Sequence, residues 1–99
     1  MVGEEGWRTE AIATGVAVSI LNRLDAVSSL VDDGKYWKAS EALYGRRWLD
    51  DLDLTGVPPL PLKRAQQWID AAHDALRTPD VDVHLVQHLL LEARRAIAS

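Results

Sequence analysis

The sequence predicts an all-α fold: a small four-helix bundle made of two antiparallel helical hairpins joined by a Pro-rich linker. Apolar residues recur at three- and four-residue spacing through four separate stretches. The breaks between those stretches fall at Asp33-Gly34, at Gly56–Pro61 and at Thr78-Pro79, and all but the second are too short for anything but neighbouring antiparallel helices. β-branched residues keep the helical spacing, and the turn signals lie too far apart for hairpins of strands. Ninety-nine residues are enough for one core, and 47% hydrophobic against 26% charged residues is the balance of a globular chain rather than a disordered one.

Helix 1 is expected over about residues 9–31, with Ile12, Ala13, Val16, Ile20, Leu24, Val27, Leu30 and Val31 on one stripe. Gly34 is its stop, because glycine takes the left-handed conformation that ends helices without a Cβ penalty. Helix 2 is expected over about 35–53, carrying Tyr36, Trp37, Leu43, Tyr44, Trp48, Leu49 and Leu52. Its apolar residues spread over too wide an arc for one stripe. Gly45, in mid-segment, weakens the helix by up to about 1 kcal/mol relative to alanine and marks a possible kink.

The linker spans about 54–60, where Pro58, Pro59 and Pro61 favour extended geometry. Helix 3 follows over about 61–77, with Leu62, Ala65, Trp68, Ile69, Ala72, Ala75 and Leu76 inward. Thr78-Pro79-Asp80 reads as an N-cap, a first-turn proline and a carboxylate matched to the helix dipole, so helix 4 is expected over about 79–98. Its inward residues are Leu85, Val86, Leu89, Leu90, Ala93, Ala96 and Ile97, and Arg94 and Arg95 lie near its negative end.

The formal charge is −4, which opposes the field of a phosphate backbone, so nucleic acid is an unfavoured partner. With no cysteine there is no disulfide, thiolate metal site or thiol catalysis. The most apolar stretch, Ala11 to Leu24, is interrupted by Thr14, Gly15, Ser19, Asn22 and Arg23 and preceded by acids, so neither a signal peptide nor a membrane span is expected. A cytoplasmic chain is the resulting expectation.

No sequence pattern carries a reaction. There is no Gly-x-Ser-x-Gly elbow and no glycine-rich phosphate loop, and carboxylates such as Asp50, Asp51, Asp53, Asp70 and Asp74 come without a sign of a pocket. No catalytic residue and no cofactor is therefore assigned. His84, His88 and Glu92 stand at i, i+4 and i+8 on one side of helix 4, and His73 is expected near the level of His84 across the turn. Together they form a candidate metal set, on a face opposite the apolar stripe and without an HExxH motif. Pro58–Lys63 satisfies a PxxP-plus-basic pattern, but a linker that merely separates two helical hairpins accounts for it. Arg46 and Arg47 beside Trp48 are the best candidates for a nucleic-acid contact.

Four tryptophans with no phenylalanine are unusual for this length. Trp68 fits the core stripe of helix 3, and Trp7 is a candidate to pin the amino terminus. Helix 2 carries more apolar surface than one core needs, and Val18 and Leu91 lie off their own stripes. Trp37, Tyr44, Trp48, Leu49, Val18 and Leu91 are accordingly the candidate interface residues.

Gly34-Lys35-Tyr36-Trp37-Lys38-Ala39 resembles the turn and second-helix start of a tetratricopeptide repeat. The small residue such repeats place in the first helix falls at Val27, and the closing proline at Asp51. The two hairpins are offset by about 47 residues where the repeat needs 34. The likeness is one of helical-hairpin physics and implies no membership.

The reading that follows is a non-enzymatic helical interaction module, an adaptor, inhibitor or small regulatory subunit, binding a protein partner or a second copy of itself through helix 2. A metal-binding bundle is the alternative, and a nucleic-acid-associated subunit a weaker one. No membrane contact is expected.

Overall fold

The structure, a computed structural model, describes residues 14–98. Expectations that fall on residues 1–13, namely the start of helix 1, the roles of Ile12 and Ala13, and the anchoring by Trp7, lie outside the described residues. The described chain is all-helical: α1 (Thr14–Asp32), α2 (Tyr36–Leu43), a 3-10 turn (Arg47–Leu49), α3 (Pro59–Leu76) and α4 (Val83–Ala98). α1 packs on α2 and α4, and α3 packs on the same two, with the broadest contact between α3 and α4. The four helices thus form a ring in which α1 faces α3 diagonally across the core.

Side-chain bonds fix the directions. Ser28 and Asp32 of α1 meet Gln87 of α4, whereas Asp25 meets Arg94, so these two helices run antiparallel. Tyr44 meets His73 while Gly45 and Trp48 meet Gln66, so α2 is antiparallel to α3. The expected four-helix bundle is formed, with α1 antiparallel to α4 and α2 antiparallel to α3.

The core is built from one stripe per helix: Ile20, Leu24, Val27 and Val31 of α1; Ala39 and Leu43 of α2; Leu62, Ala65, Ile69, Ala72 and Leu76 of α3; Val86, Leu90, Ala93 and Ile97 of α4. Burying a side chain such as Ile69 or Leu90 is worth about 1.5–3 kcal/mol relative to leaving it in water. Two residues expected inward are not: Trp68 is 37% and Leu85 46% exposed. Each lies at the edge of its stripe, on the outer side of the α3/α4 contact, where the partner helix covers only part of a large side chain.

The first turn forms as its chemistry demands. Gly34 has φ +76°, its N–H donates to the Val31 carbonyl at 3.0 Å, and the Lys35 N–H donates to the Leu30 carbonyl at 2.8 Å. This double bond pattern closes a helix through a left-handed residue.

Helix 2 is shorter than the 35–53 expected. It ends at Leu43; Tyr44 leaves with ψ 122° and Gly45 takes φ +58°, after which the chain makes a single 3-10 turn. A second positive φ, +64° at Asp51, finishes the segment, so Leu52 and Leu54 reach the core as loop residues. Helix 3 starts two residues earlier than the linker composition suggested. Pro59 and Pro61 fall within its first turn, where backbone N–H groups have no intrahelical acceptor and a missing donor costs nothing.

Helix 4 starts at Val83 rather than 79. The Thr78 hydroxyl lies 2.9 Å from the Ala75 carbonyl and 3.2 Å from that of Asp80, closing the turn instead of opening the helix. The cap is Asp82, whose carboxylate accepts the Leu85 N–H at 3.1 Å. Among the described residues no helix is long and apolar enough to cross a membrane.

Candidate functional site

α2 spans eight residues, about 12 Å at 1.5 Å per residue, against nineteen residues in α1 and eighteen in α3. Beyond Leu43 the bundle wall is completed by the 3-10 turn, and Trp48 is what holds that turn in place. Its ring is 2% exposed; its Nε1 donates to Gln66 Oε1 at 2.7 Å, and its carbonyl accepts from Arg23 at 3.4 Å. Gln66 spends its amide group on the Gly45 carbonyl (2.9 Å) and on Asp70 (2.8 Å). One α3 side chain therefore ties down both the left-handed glycine and the indole.

With Trp48 and Leu49 turned inward, Trp37 and Tyr44 remain outside, 67% and 59% exposed. They stand seven positions apart, on the same side of α2 and about 10 Å from each other along its axis. Together with Ser40 and Glu41 they form one wall of a groove of about 220 Å³ whose other wall is His73 and Arg77 of α3, with Arg47 at its upper end. The Tyr44 and His73 rings lie 5.8 Å apart at 58°, and the Arg47 guanidinium carbon is 5.6 Å from the Tyr44 ring centre. These contacts are edge-type aromatic and cation–π arrangements, and they hold Tyr44 upright at the rim. The Ser40 hydroxyl donates back to the Trp37 carbonyl at 2.8 Å, so it is a helix-internal bond rather than a free group.

The groove is lined by two cationic side chains, Arg47 and Arg77, and one carboxylate, Glu41. Residues 35–49 hold Lys35, Lys38, Arg46 and Arg47 against Glu41, a net charge of +3 in a chain that totals −4, so the other residues sum to −7. Neither Arg47 nor Arg77 joins an ion pair among the described residues; Arg47 has only a long 3.5 Å bond to the Glu41 carbonyl. On the other flank of α2 an apolar cleft of about 260 Å³ runs between α1 and α2, lined by Arg23, Leu24, Val27, Ala42 and Trp48, and Arg47 borders it too.

The six interface candidates thus part company. Trp37 and Tyr44 come together at the groove. Trp48 and Leu49, the latter 5% exposed, belong to the core and are removed from any surface. Val18 of α1 and Leu91 of α4, 48% and 40% exposed, are not among the residues lining the groove. Burial of Trp48 also removes the stacking platform from the Arg46-Arg47-Trp48 reading.

The candidate metal set does not assemble. His84 and His88 are exposed on α4, Glu92 accepts from Arg95 at 3.1 Å, and His73 faces α2, beside Tyr44, with Asp74 3.6 Å from its Nδ1. Among the described residues no group of three or more His, Asp or Glu is placed to hold a metal ion. His73 lies on the α2 side of α3 because it shares a face with Gln66, one helical repeat earlier.

Arg77, Ser40 and Glu41 were not singled out by the sequence. The signal that could have found Arg77 is its i, i+4 relation to His73, which sets the pair opposite the i, i+7 pair Trp37 and Tyr44 once the hairpins are antiparallel. No family model, curated protein or solved structure matches the chain.

Proposed function

We propose that the chain is a non-enzymatic helical interaction module whose recognition surface is the α2 side of the bundle, centred on Trp37 and Tyr44. One observation carries this reading: two large aromatic side chains stay in water on one side of a short helix, beside a groove, while the neighbouring Trp48 and Leu49 are buried. Exposed aromatics of this kind contribute little to the fold and are the residue types that dominate protein–protein recognition. The absence of a sequence motif for catalysis agrees with a binding role such as an adaptor, inhibitor or regulatory subunit.

The test is affinity capture with the wild-type chain against Trp37→Ala/Tyr44→Ala, together with sedimentation of each. A partner, or a second copy, bound by the wild type and lost by the double variant at unchanged helix content supports the reading. Identical binding by both chains contradicts it.

A further inference from the structure

The groove has a chemistry more specific than an apolar face. Arg47 and Arg77 both line it, Arg77 one turn beyond His73 in the direction of Trp37 and Arg47 on the other side of Tyr44, because α2 and α3 run antiparallel. Both guanidinium groups are free of ion pairs among the described residues. Between them lie the two aromatic rings and the His73 edge. An extended peptide advances about 3.3 Å per residue, so the roughly 10 Å between Trp37 and Tyr44 accommodates about three residues.

We propose that the α2/α3 groove binds an acidic peptide segment of a protein partner, its carboxylates pairing with Arg47 and Arg77 and an intervening apolar side chain packing between Trp37 and Tyr44. The inference rests on the interaction-module reading and adds the partner's chemistry to it. Charge complementarity is the reason for the choice: two guanidinium groups, Arg47 and Arg77, line the groove against the single carboxylate of Glu41, and neither is in an ion pair among the described residues. Guanidinium groups match carboxylates in a two-point fork.

The experiment is selection of a displayed random-peptide library on the full chain, followed by affinity measurement of the enriched peptides on wild type, Arg47→Glu/Arg77→Glu, Arg77→Gln and Trp37→Ala. The expected motif places two Asp or Glu residues on either side of an aromatic or aliphatic one. Binding falls about tenfold or more in the charge-reversed chain and measurably in Arg77→Gln, and it weakens as NaCl rises from about 50 to about 500 mM. Helix content read by circular dichroism confirms that the variants fold; should the double reversal unfold the chain, Arg77→Gln alone decides.

Peptides without carboxylates that bind the arginine variants as well as wild type would overturn the acidic specificity and leave the interaction module standing. Peptides indifferent to Trp37→Ala, or no enrichment at all, would overturn both. Tighter binding of a fluorescein-labelled thymidine oligonucleotide than of any peptide would overturn the proposal in favour of a nucleic acid. Self-association abolished by the charge reversal would overturn it in favour of a second copy.

Discussion

The α3/α4 hairpin and the α2 segment solve the same packing problem in opposite ways. α3 and α4 are continuous helices of eighteen and sixteen residues, each contributing one apolar stripe of residues spaced three and four apart. Their contact depends on periodicity. α2 contributes eight helical residues, a left-handed glycine and a 3-10 turn, and closes the core with a tryptophan that arrives from the turn. Its geometry depends on one polar network reaching from α3. The difference teaches that the irregular segment frees two aromatic residues from the core, whereas a regular helix through residue 53 would have had to spread seven large side chains around its circumference.

Removing a large side chain from either region sharpens the contrast first. Trp48→Ala is expected to cost about 3–5 kcal/mol, as much as or more than the 2–5 kcal/mol of Leu90→Ala in the hairpin, when both are measured by urea unfolding. A cost for Trp48→Ala below about 1 kcal/mol would mean that the turn is not part of the core.

Next comes the network. Gln66→Leu keeps the volume but leaves the Trp48 Nε1–H and the Gly45 carbonyl without their 2.7 and 2.9 Å partners. The expected loss is about 1–3 kcal/mol, and in hydrogen exchange the amides of the 3-10 turn should lose protection before those of α4.

Gly45→Ala should cost about 1–2 kcal/mol from backbone conformation alone, since φ is +58° and a Cβ there would meet no atom within 4 Å. Gly45→Asn, a residue that tolerates the left-handed region, should recover part of that loss. Equal losses for both would show that something other than the dihedral is at stake.

The smallest effect belongs to Asp53, where the chain leaves the turn. Its carboxylate accepts the Thr55 N–H at 3.0 Å, and that bond, with the Thr55 side chain second, holds its pKa below the usual value. A depressed folded-state pKa stabilises above the unfolded value, and the gain disappears as pH falls through the folded one. Asp53→Ala should therefore lower the unfolding midpoint slightly at neutral pH and not at all in strong acid, with the two pH titration curves of stability converging below the ordinary aspartate range.

Legibility in the sequence followed the same division. The four-helix, two-hairpin architecture and its core stripes could be read because Ile20, Leu24, Val27 and Val31, or Val86, Leu90, Ala93 and Ile97, repeat the period that a packed helix needs. Gly34 could be read because its cap is a local bond pattern. The end of α2 could not, since one mid-helix glycine is worth only about 1 kcal/mol and the decisive partner, Gln66, lies 18 residues beyond Trp48. The start of α4 was not legible: Thr78 reads as its cap, whereas the Thr78 hydroxyl closes the preceding turn and Asp82 caps the helix. Half of the groove was visible as surplus aromatics on helix 2. The other half, His73 and Arg77, needed the register of α3 against α2, which no local pattern encodes.

The central claim is that Trp37 and Tyr44 serve recognition and not the fold. It is tested most directly by measuring, on one preparation of Trp37→Ala/Tyr44→Ala, both the unfolding free energy and the retention of whatever the wild-type chain captures. The account predicts a free energy within about 1 kcal/mol of wild type, the Tyr44 ring contacts setting that margin, with capture lost. A chain several kcal/mol less stable that still captures the same partner would contradict it.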